Sequence, residues 1–311
     1  MNILLTGAAG QLGTELLPLL NKRGRVTAMD RAKPLQPIPG WVTQDLGDGG
    51  KLEVVLNRLR PGLIVNAAAY TAVDQAEEDP QTACDINAAL PGRLARWTQR
   101  NDARLVHYST DYIFNGQAER PYREDDTPDP LSIYGDSKLA GERAIEAAGC
   151  RHVILRTSWV YSSHGKNFVL SMLNLARRGL SLKVVDDQRG CPTWARNLAL
   201  ATDEVIEKWQ TAGQGDCGGV FNYCDNRALS WYDFASSIFA LALENGLLEQ
   251  QPDISPVPSS GFQQPAQRPH WSVLDTEKIE RELGIVPADF NLALKTVLGE
   301  IKNKGQLQVQ R

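Results

Sequence analysis

The strongest constraint in this chain is an alternation of two patterns. Short apolar runs of strand length, "NILLTG" (2–7), "RVTAMD" (25–30), "LIVNAAA" (63–69), "RLVHYST" (104–110) and "HVILRTSWVY" (152–161), are separated by amphipathic stretches. Gln11–Lys22, Lys51–Arg60, segments within 74–101 and Lys138–Ala148 read as helices. Nearly continuous apolar strands between helices are the pattern of a parallel sheet covered on both faces. Crossovers of that kind are right-handed. The predicted fold is therefore α/β, a doubly wound parallel sheet. After about residue 160 the regularity loosens. Asn167–Arg178, Trp194–Trp209, Trp231–Asn245 and the tail from Asp289 read as helices, and "LKVVDD" (182–187) and "GVFNYC" (219–224) as strands. This predicts a first domain over 1–160 and a smaller mixed α/β lobe over 161–311, with segments free to return to the first domain.

Composition excludes several classes of function. A net charge of −4 and a pI near 5.7 argue against a protein that lives on nucleic acid phosphates. No apolar run approaches the ~18 residues of a membrane span, and the start "MNILLTGAAG" has no charged segment of the kind that opens a signal peptide. Five cysteines (Cys84, Cys150, Cys191, Cys217, Cys224), in no CxxC arrangement, fit reduced thiols in a cytoplasm better than a disulfide framework. The four histidines stand apart from one another, so no zinc signature is present and no metal is expected.

The first strand runs directly into "TGAAGQLG", which sets Gly7, Gly10 and Gly13 as G-x-x-G-x-x-G at the opening of a helix, with Gln11 and Leu12 inside the motif. Gly7 permits the tight turn, Gly10 lets backbone approach a pyrophosphate, and Gly13 lets helix pack close to strand. The helix N-terminus then supplies N–H donors and positive potential. That is the logic of a Rossmann-type dinucleotide site, although the spacing departs from G-x-G-x-x-G. The second strand ends in Asp30, where an acid reaches the adenosine ribose hydroxyls and repels a 2′-phosphate; Arg31 follows and offers a guanidinium to that same phosphate. The site reads as permissive, leaning to NADH over NADPH. Asp45 and Leu46 are placed to flank the adenine. The small residues Ala67, Ala68 and Ala69, followed by Tyr70 and Thr71, let backbone lie close to the ligand.

Two further stretches, "HYSTDY" and "SIYGDSK", put Thr110 at a strand end and Tyr134 and Lys138 one helical turn apart. A Ser or Thr followed by Tyr-x-x-x-Lys, downstream of an N-terminal glycine-rich turn, resembles the extended short-chain dehydrogenase/reductase superfamily. The chemistry explains the residue types. Reducing a ketone needs a hydride on carbon and a proton on oxygen. A phenol of pKa ~10 serves poorly near neutrality until a cation stabilises its anion. Lys138, on the same helix face as Tyr134, supplies that cation, lowers the phenol's pKa and joins Tyr134 at the nicotinamide ribose. Thr110 orients the substrate carbonyl.

"NAAAYTAVDQAE", "VHYSTDYIFNG", "SIYGDSKLAGE", "ILRTSWVY", "DDQRGCPTWA" and "RPHWSVLDTEKI" together resemble the dTDP-4-dehydrorhamnose reductases. The resemblance implies NAD(P)H-dependent reduction of the 4-keto group of a dTDP-sugar, dTDP-4-dehydro-β-L-rhamnose, to dTDP-L-rhamnose. It implies that Thr110 and Asp111 touch the sugar, that Trp159 packs on it, and that Thr71 and Val73 lie beside the pocket. Lys166, Asn167 and Arg268 are candidates for the diphosphate. Sugar-nucleotide dehydratases of the superfamily carry an acid–base pair after the Ser/Thr; here the place reads Asp111-Tyr112, which fits simple carbonyl reduction. Some members of the family pair through Mg²⁺ held by two glutamates. Glu15 occupies the first place, read here as a solvated surface charge, but Arg196 stands where the second is expected. A monomer or weak homodimer without metal is therefore expected. The rival readings are a non-catalytic NADP-binding regulatory subunit, which has no need of the Thr–Tyr–Lys trio, and a reductase or epimerase of another nucleotide-sugar.

Overall fold

The computed structural model of the chain describes residues 1–34, 37–211, 218–262 and 264–309; Cys217 lies outside them. The chain opens with β1 (Asn2–Thr6), α1 (Gln11–Arg23), β2 (Arg25–Asp30), β3 (Trp41–Thr43), α2 (Gly49–Leu59) and β4 (Leu63–Asn66). Two short helices, α3 (Val73–Glu78) and α4 (Pro80–Cys84), lead through a π-helical turn (Asp85–Ala89) into α5 (Leu90–Arg100). Next come β5 (Arg104–Thr110), a 3₁₀ turn (Asp111–Ile113), α6 (Ile133–Ala148) and β6 (Arg151–Thr157). The second half runs β7 (Val160–Tyr161), α7 (Phe168–Arg177), β8 (Leu182–Val185), β9 (Arg189–Gly190), β10 (Thr193–Trp194) and α8 (Ala195–Thr211). It ends with β11 (Gly219–Asn222), β12 (Leu229–Ser230), α9 (Trp231–Glu244), β13 (Ile254–Val257), α10 (Glu277–Leu283) and α11 (Phe290–Val309).

Seven strands form one parallel sheet in the order β11-β6-β5-β4-β1-β2-β3. The fold is thus a doubly wound, Rossmann-type α/β sheet with a smaller mixed lobe. The order reverses between β1 and β4, and ligands of open α/β sheets bind at that reversal, beyond the C-terminal ends of the strands. Apolar side chains fill both faces. Leu16 and Leu20 of α1 and Leu198, Val205 and Ile206 of α8 cover one; Leu52 and Leu56 of α2, Leu90, Leu94 and Trp97 of α5 and Ile145 of α6 cover the other. The second lobe has its own core, in which Val169 and Leu173 of α7, Phe234 and Phe239 of α9 and Phe290 and Leu294 of α11 pack over β8. A small cluster of Phe114, Tyr122, Leu139, Cys191, Cys224 and Val273 joins residues of both halves.

One apolar run is split in the structure, and one strand of the second half joins the main sheet. "HVILRTSWVY" is not one strand: β6 stops at Thr157, and Trp159 takes a left-handed φ of 47°, which turns Val160–Tyr161 away to pair with β10. "GVFNYC" supplies β11, which returns to the main sheet beside β6, while α8 packs on α1. No helix among the described residues is long and apolar enough to cross a membrane.

Candidate active site

The glycine turn is shaped by backbone contact. Gly7 has φ +67°, and a Cβ on it would stand 2.5 Å from the Ala67 carbonyl carbon and the Ala68 nitrogen at the end of β4. A Cβ on Gly13 would stand 2.2 Å from the Gly7 oxygen, so α1 sits directly on the loop. No side chain caps α1, whose N-cap is Gly10, whereas α6, α7 and α9 are capped by Ser132, Asn167 and Ser230. Its first-turn donors are left without the usual side-chain acceptor, which suits a diphosphate. Asp30 braces the same loop, its Oδ2 accepting the Ala9 N–H and its Oδ1 the Ala32 N–H, each at 3.0 Å. Arg31 is exposed beside it.

The other expected cofactor residues divide. Asp45 forms a local turn by accepting the Gly47 N–H at 2.9 Å, and Leu46 is buried in the core beneath. Leu12 packs against the sheet. The side chain of Gln11 turns to the second half of the chain, where its Oε1 accepts from Ser162 Oγ and Asn167 Nδ2, both at 2.8 Å. β4 ends at Asn66, so Ala67–Thr71 is loop. That loop is held by a residue the sequence reading missed. Asn87, fully buried in the π-helical turn, accepts the Tyr70 N–H at 2.9 Å, donates to the Tyr70 carbonyl at 3.0 Å and donates to Ser137 Oγ on α6 at 3.0 Å. It ties the cofactor loop to the helix that carries Tyr134 and Lys138. Gly141 of α6 lets the π-helical turn pack close, since a Cβ there would lie 2.1 Å from the Asn87 backbone carbonyl oxygen.

Thr110, Asp111, Tyr134 and Lys138 come together where β5 ends and α6 begins. Ser132 Oγ accepts the Gly135 N–H at 3.2 Å, which fixes the first turn of α6 and the direction of Tyr134. The Tyr134 phenol lies near Thr110, and its ring meets Tyr112 edge-on at 5.9 Å. Burial pushes the phenol up to about 12, with the nearby Thr110 hydroxyl pulling it partly back and the Asp111 charge adding to the rise. The lowering expected from Lys138 does not show in the chain itself. Lys138 is buried, donates to the Tyr108 carbonyl at 2.5 Å, and is lowered to about 8 by burial, with Glu142 opposing. Thr110 Oγ1 donates to Asp111 Oδ1 at 3.0 Å and accepts the Tyr112 N–H at 3.2 Å.

The residues expected at the substrate are more dispersed. Val73 opens α3, next to Thr71 in the loop. Arg268 is committed to Asp74 through a two-pronged ion pair at 2.7 and 3.0 Å, and it also reaches the Tyr112 hydroxyl. Asn167 caps α7 and Lys166 is exposed. Trp159 stacks on Trp231 with ring centroids 3.5 Å apart, and Gly190 lies against its Cε2–Nε1 edge, where a Cβ would stand 2.6 Å away. One face of this indole is therefore occupied by protein.

Glu15 corrects the surface-charge reading. It is 8% exposed and accepts from Arg196 Nε at 2.8 Å, with His164 Nε2 3.0 Å away. Burial raises its carboxyl, but the bonds to His164 and Arg196 outweigh that and hold it below the usual range. Arg196 donates as well to Glu300 on α11 at 2.5 Å. A charged surface groove of about 560 Å³, lined by Arg123, Glu124, Lys278 and Arg281 among others, shares no residue with the site.

The chain is 38% identical to dTDP-4-dehydrorhamnose reductase of Escherichia coli K12 over 304 residues, 97% of this chain and 98% of that one. It superposes on the dTDP-4-dehydrorhamnose reductase of Clostridium acetobutylicum with a TM-score of 0.86 at 34% identity, covering 97% of this chain and 100% of that one. The Bacillus anthracis dTDP-4-dehydrorhamnose reductase, solved in complex with NADP, gives a TM-score of 0.84 at 30% identity, over 96% and 99% of the two chains. The family model described as RmlD substrate binding domain matches residues 1–303, and the chain belongs to that family, the family of the dTDP-4-dehydrorhamnose reductases.

Proposed function

We propose that this chain reduces the C4 ketone of dTDP-4-dehydro-β-L-rhamnose to dTDP-L-rhamnose with NADH or NADPH. The observation that carries the reading is the grouping of Thr110 and Tyr134, with buried Lys138 one turn along α6, at the C-terminal edge of the sheet. The residues fit a dinucleotide: the turn at Gly7 and Gly13 leaves no room for a Cβ, α1 has no side-chain cap, and Asp30 ends β2. A bound nicotinamide would supply the hydride that attacks C4.

The chain's own residues handle the oxygen. Reduction consumes a proton, so Tyr134 must start protonated, and burial keeps it so across the working pH range. Tyr134 Oη gives its proton to O4 as the negative charge develops there. Thr110 stands beside it to hydrogen-bond the same oxygen. Lys138, protonated below about 8, then faces the phenolate from the same side of α6. Its second function is to hold the nicotinamide ribose. Asp30 disfavours a 2′-phosphate while Arg31 accepts one, so both cofactors are used, with NADH preferred.

The direct test offers the purified protein a panel of 4-keto nucleotide-sugars with each cofactor. We expect the dTDP-sugar to be turned over best. Tyr134→Phe should lower kcat by about 10²–10⁴, the usual cost of losing a general acid, while cofactor Kd stays within about twofold. A variant that keeps more than about a tenth of kcat would remove Tyr134 from the chemistry, since the loss of a positioned acid exceeds that.

A further inference from the structure

Asp111 follows Thr110 at the end of β5 and is 2% exposed. Its Oδ1 accepts the Thr110 hydroxyl at 3.0 Å, and the hydroxyl of the buried Ser272 lies near its carboxyl. Its Oδ2 is enclosed without a hydrogen-bond partner among the described residues. The groups that offset burial most are hydroxyls and backbone N–H, not a cation. A carboxylate so placed would carry a buried charge with one oxygen unsatisfied, which costs several kcal/mol by general experience.

The constraint becomes sharper at Thr110. A hydroxyl has one hydrogen and two lone pairs. With Asp111 ionised, the single Thr110 hydrogen points at Oδ1, and none remains for a ketone oxygen. With Asp111 protonated, the acid donates to Thr110 Oγ1. That oxygen then accepts from Asp111 and from the Tyr112 N–H, which fills both lone pairs. Its hydrogen is released toward Tyr134 and the substrate.

We propose that Asp111 acts as a carboxylic acid, a positioning residue whose proton turns the Thr110 hydroxyl toward the ketone oxygen. This rests on the reductase reading, since it needs a carbonyl beside Thr110 and Tyr134. The groups that face the carboxyl are Thr110 and Tyr112 on its own segment, Tyr134 from α6, Ser272, and Cys224 after β11; Cys224 and its neighbour Cys191 are both free thiols. Arg268 stands beyond Tyr112. Burial pushes the Asp111 carboxyl up to about 7, which leaves it largely protonated below neutrality.

The sign of the pH effect follows. Raising the pH through about 7 ionises Asp111 and recaptures the Thr110 hydrogen, so kcat/KM for ketone reduction should begin to fall there. Asp111→Asn provides a donor of similar shape that never ionises. Asp111→Ala should lower kcat at pH 6 by on the order of 10²-fold, the low end of the range for a lost oxyanion donor. Asp111→Asn should restore most of that loss and move the onset of the fall from about 7 to about 8, where Lys138 titrates. An Asn variant with the wild-type profile, or one as inactive as the folded Ala variant, would overturn the proposal. The second measurement needs no substrate: the ¹³C shift of the Asp111 carboxyl, assigned by difference against D111N, should titrate near neutrality. A midpoint below about 5, near the ordinary carboxylate range, would also overturn it. Titration near neutrality in a protein that reduces no nucleotide-sugar would sink the reductase reading and leave the protonated acid standing.

Discussion

On the proposed reading Asp30 has two tasks for one carboxylate, bracing the glycine turn and meeting the ribose, and they separate in a mutant. The sequence places it at the ribose; the structure adds that both oxygens already hold backbone N–H groups, one of them in the glycine turn. Asp30→Ala should therefore raise the NADPH-over-NADH ratio of kcat/KM and also weaken both cofactors, by about tenfold, since a hydrogen bond to a charged group contributes about 1.5 kcal/mol or more. Arg31→Ala should shift the ratio the other way without the shared loss, because Arg31 is exposed and braces nothing that is described. Titrating both cofactors against each variant checks this, and an unmoved ratio would take Asp30 away from the ribose. The grouping of Thr110, Tyr134 and Lys138 was legible in the sequence because the chemistry proposed for them dictates both type and spacing. Asn87 was not, because it works through the backbone of Tyr70 and the hydroxyl of Ser137, and contacts 17 and 50 residues away leave no local pattern. Glu15 was misread for a similar reason: its partners stand 149 and 181 residues further along the chain.

The turn from β1 into α1 is the element on which the cofactor site depends, and it tolerates no added atom. Gly13 lies in the first turn of α1, where an alanine would ordinarily strengthen a helix by about 1 kcal/mol. Here the new Cβ would lie 2.2 Å from the Gly7 oxygen and 2.7 Å from Ala8 Cα, both main-chain atoms with nowhere to move. Overpacking therefore outweighs propensity, and we expect Gly13→Ala to cost about 1–3 kcal/mol of stability and to weaken cofactor binding more than tenfold. Thermal unfolding with and without cofactor measures both; a Gly13→Ala protein as stable and as tight-binding as wild type would mean that α1 does not rest on the turn. Strands β1, β2 and β5 follow their apolar runs closely, since a buried parallel strand must be apolar throughout. The break at Trp159 was hidden inside such a run, because a left-handed φ at a tryptophan is set by the packing of its ring on Trp231 and Gly190. The sequence left room for a segment to return to the first domain, but did not say that β11 is that segment or that it pairs with β6, since an apolar strand does not name its neighbour.

Charge and hydrogen bonding join the two halves of the chain at several places, among them Arg268 with Asp74 and Arg23 with Asp203, and one of these centres on Arg196. Gln11 and Glu15 on α1, Ser162, His164 and Asn167 in the loop after β7, Arg196 on α8 and Glu300 on α11 form a continuous network. Arg196 is its centre, a guanidinium between two carboxylates, and it delivers there the positive charge that a cation would otherwise bring. Replacing it with Met leaves Glu15 buried beside His164 alone. Breaking a buried pair costs about 3–5 kcal/mol, but Arg196 is 37% exposed, and solvent screening reduces the expected loss to about 1–3 kcal/mol. The pH dependence has a definite sign. The folded protein holds the Glu15 carboxyl below its unfolded value, so the pair's contribution is present above the ordinary glutamate range and disappears as pH falls through the depressed value. The gap in Tm between wild type and Arg196→Met should thus be widest near neutrality and close in acid. Chelation tests the same centre from the other side. With the charge supplied by Arg196, EDTA should change neither activity, nor Tm, nor the mass in solution, and added Mg²⁺ should restore nothing. A loss of activity that Mg²⁺ reverses, or a dimer that EDTA splits, would show that a metal competes with Arg196 for Glu15; a Tm gap that stays constant into acid would show that the guanidinium and the carboxylate do not stabilise one another at all.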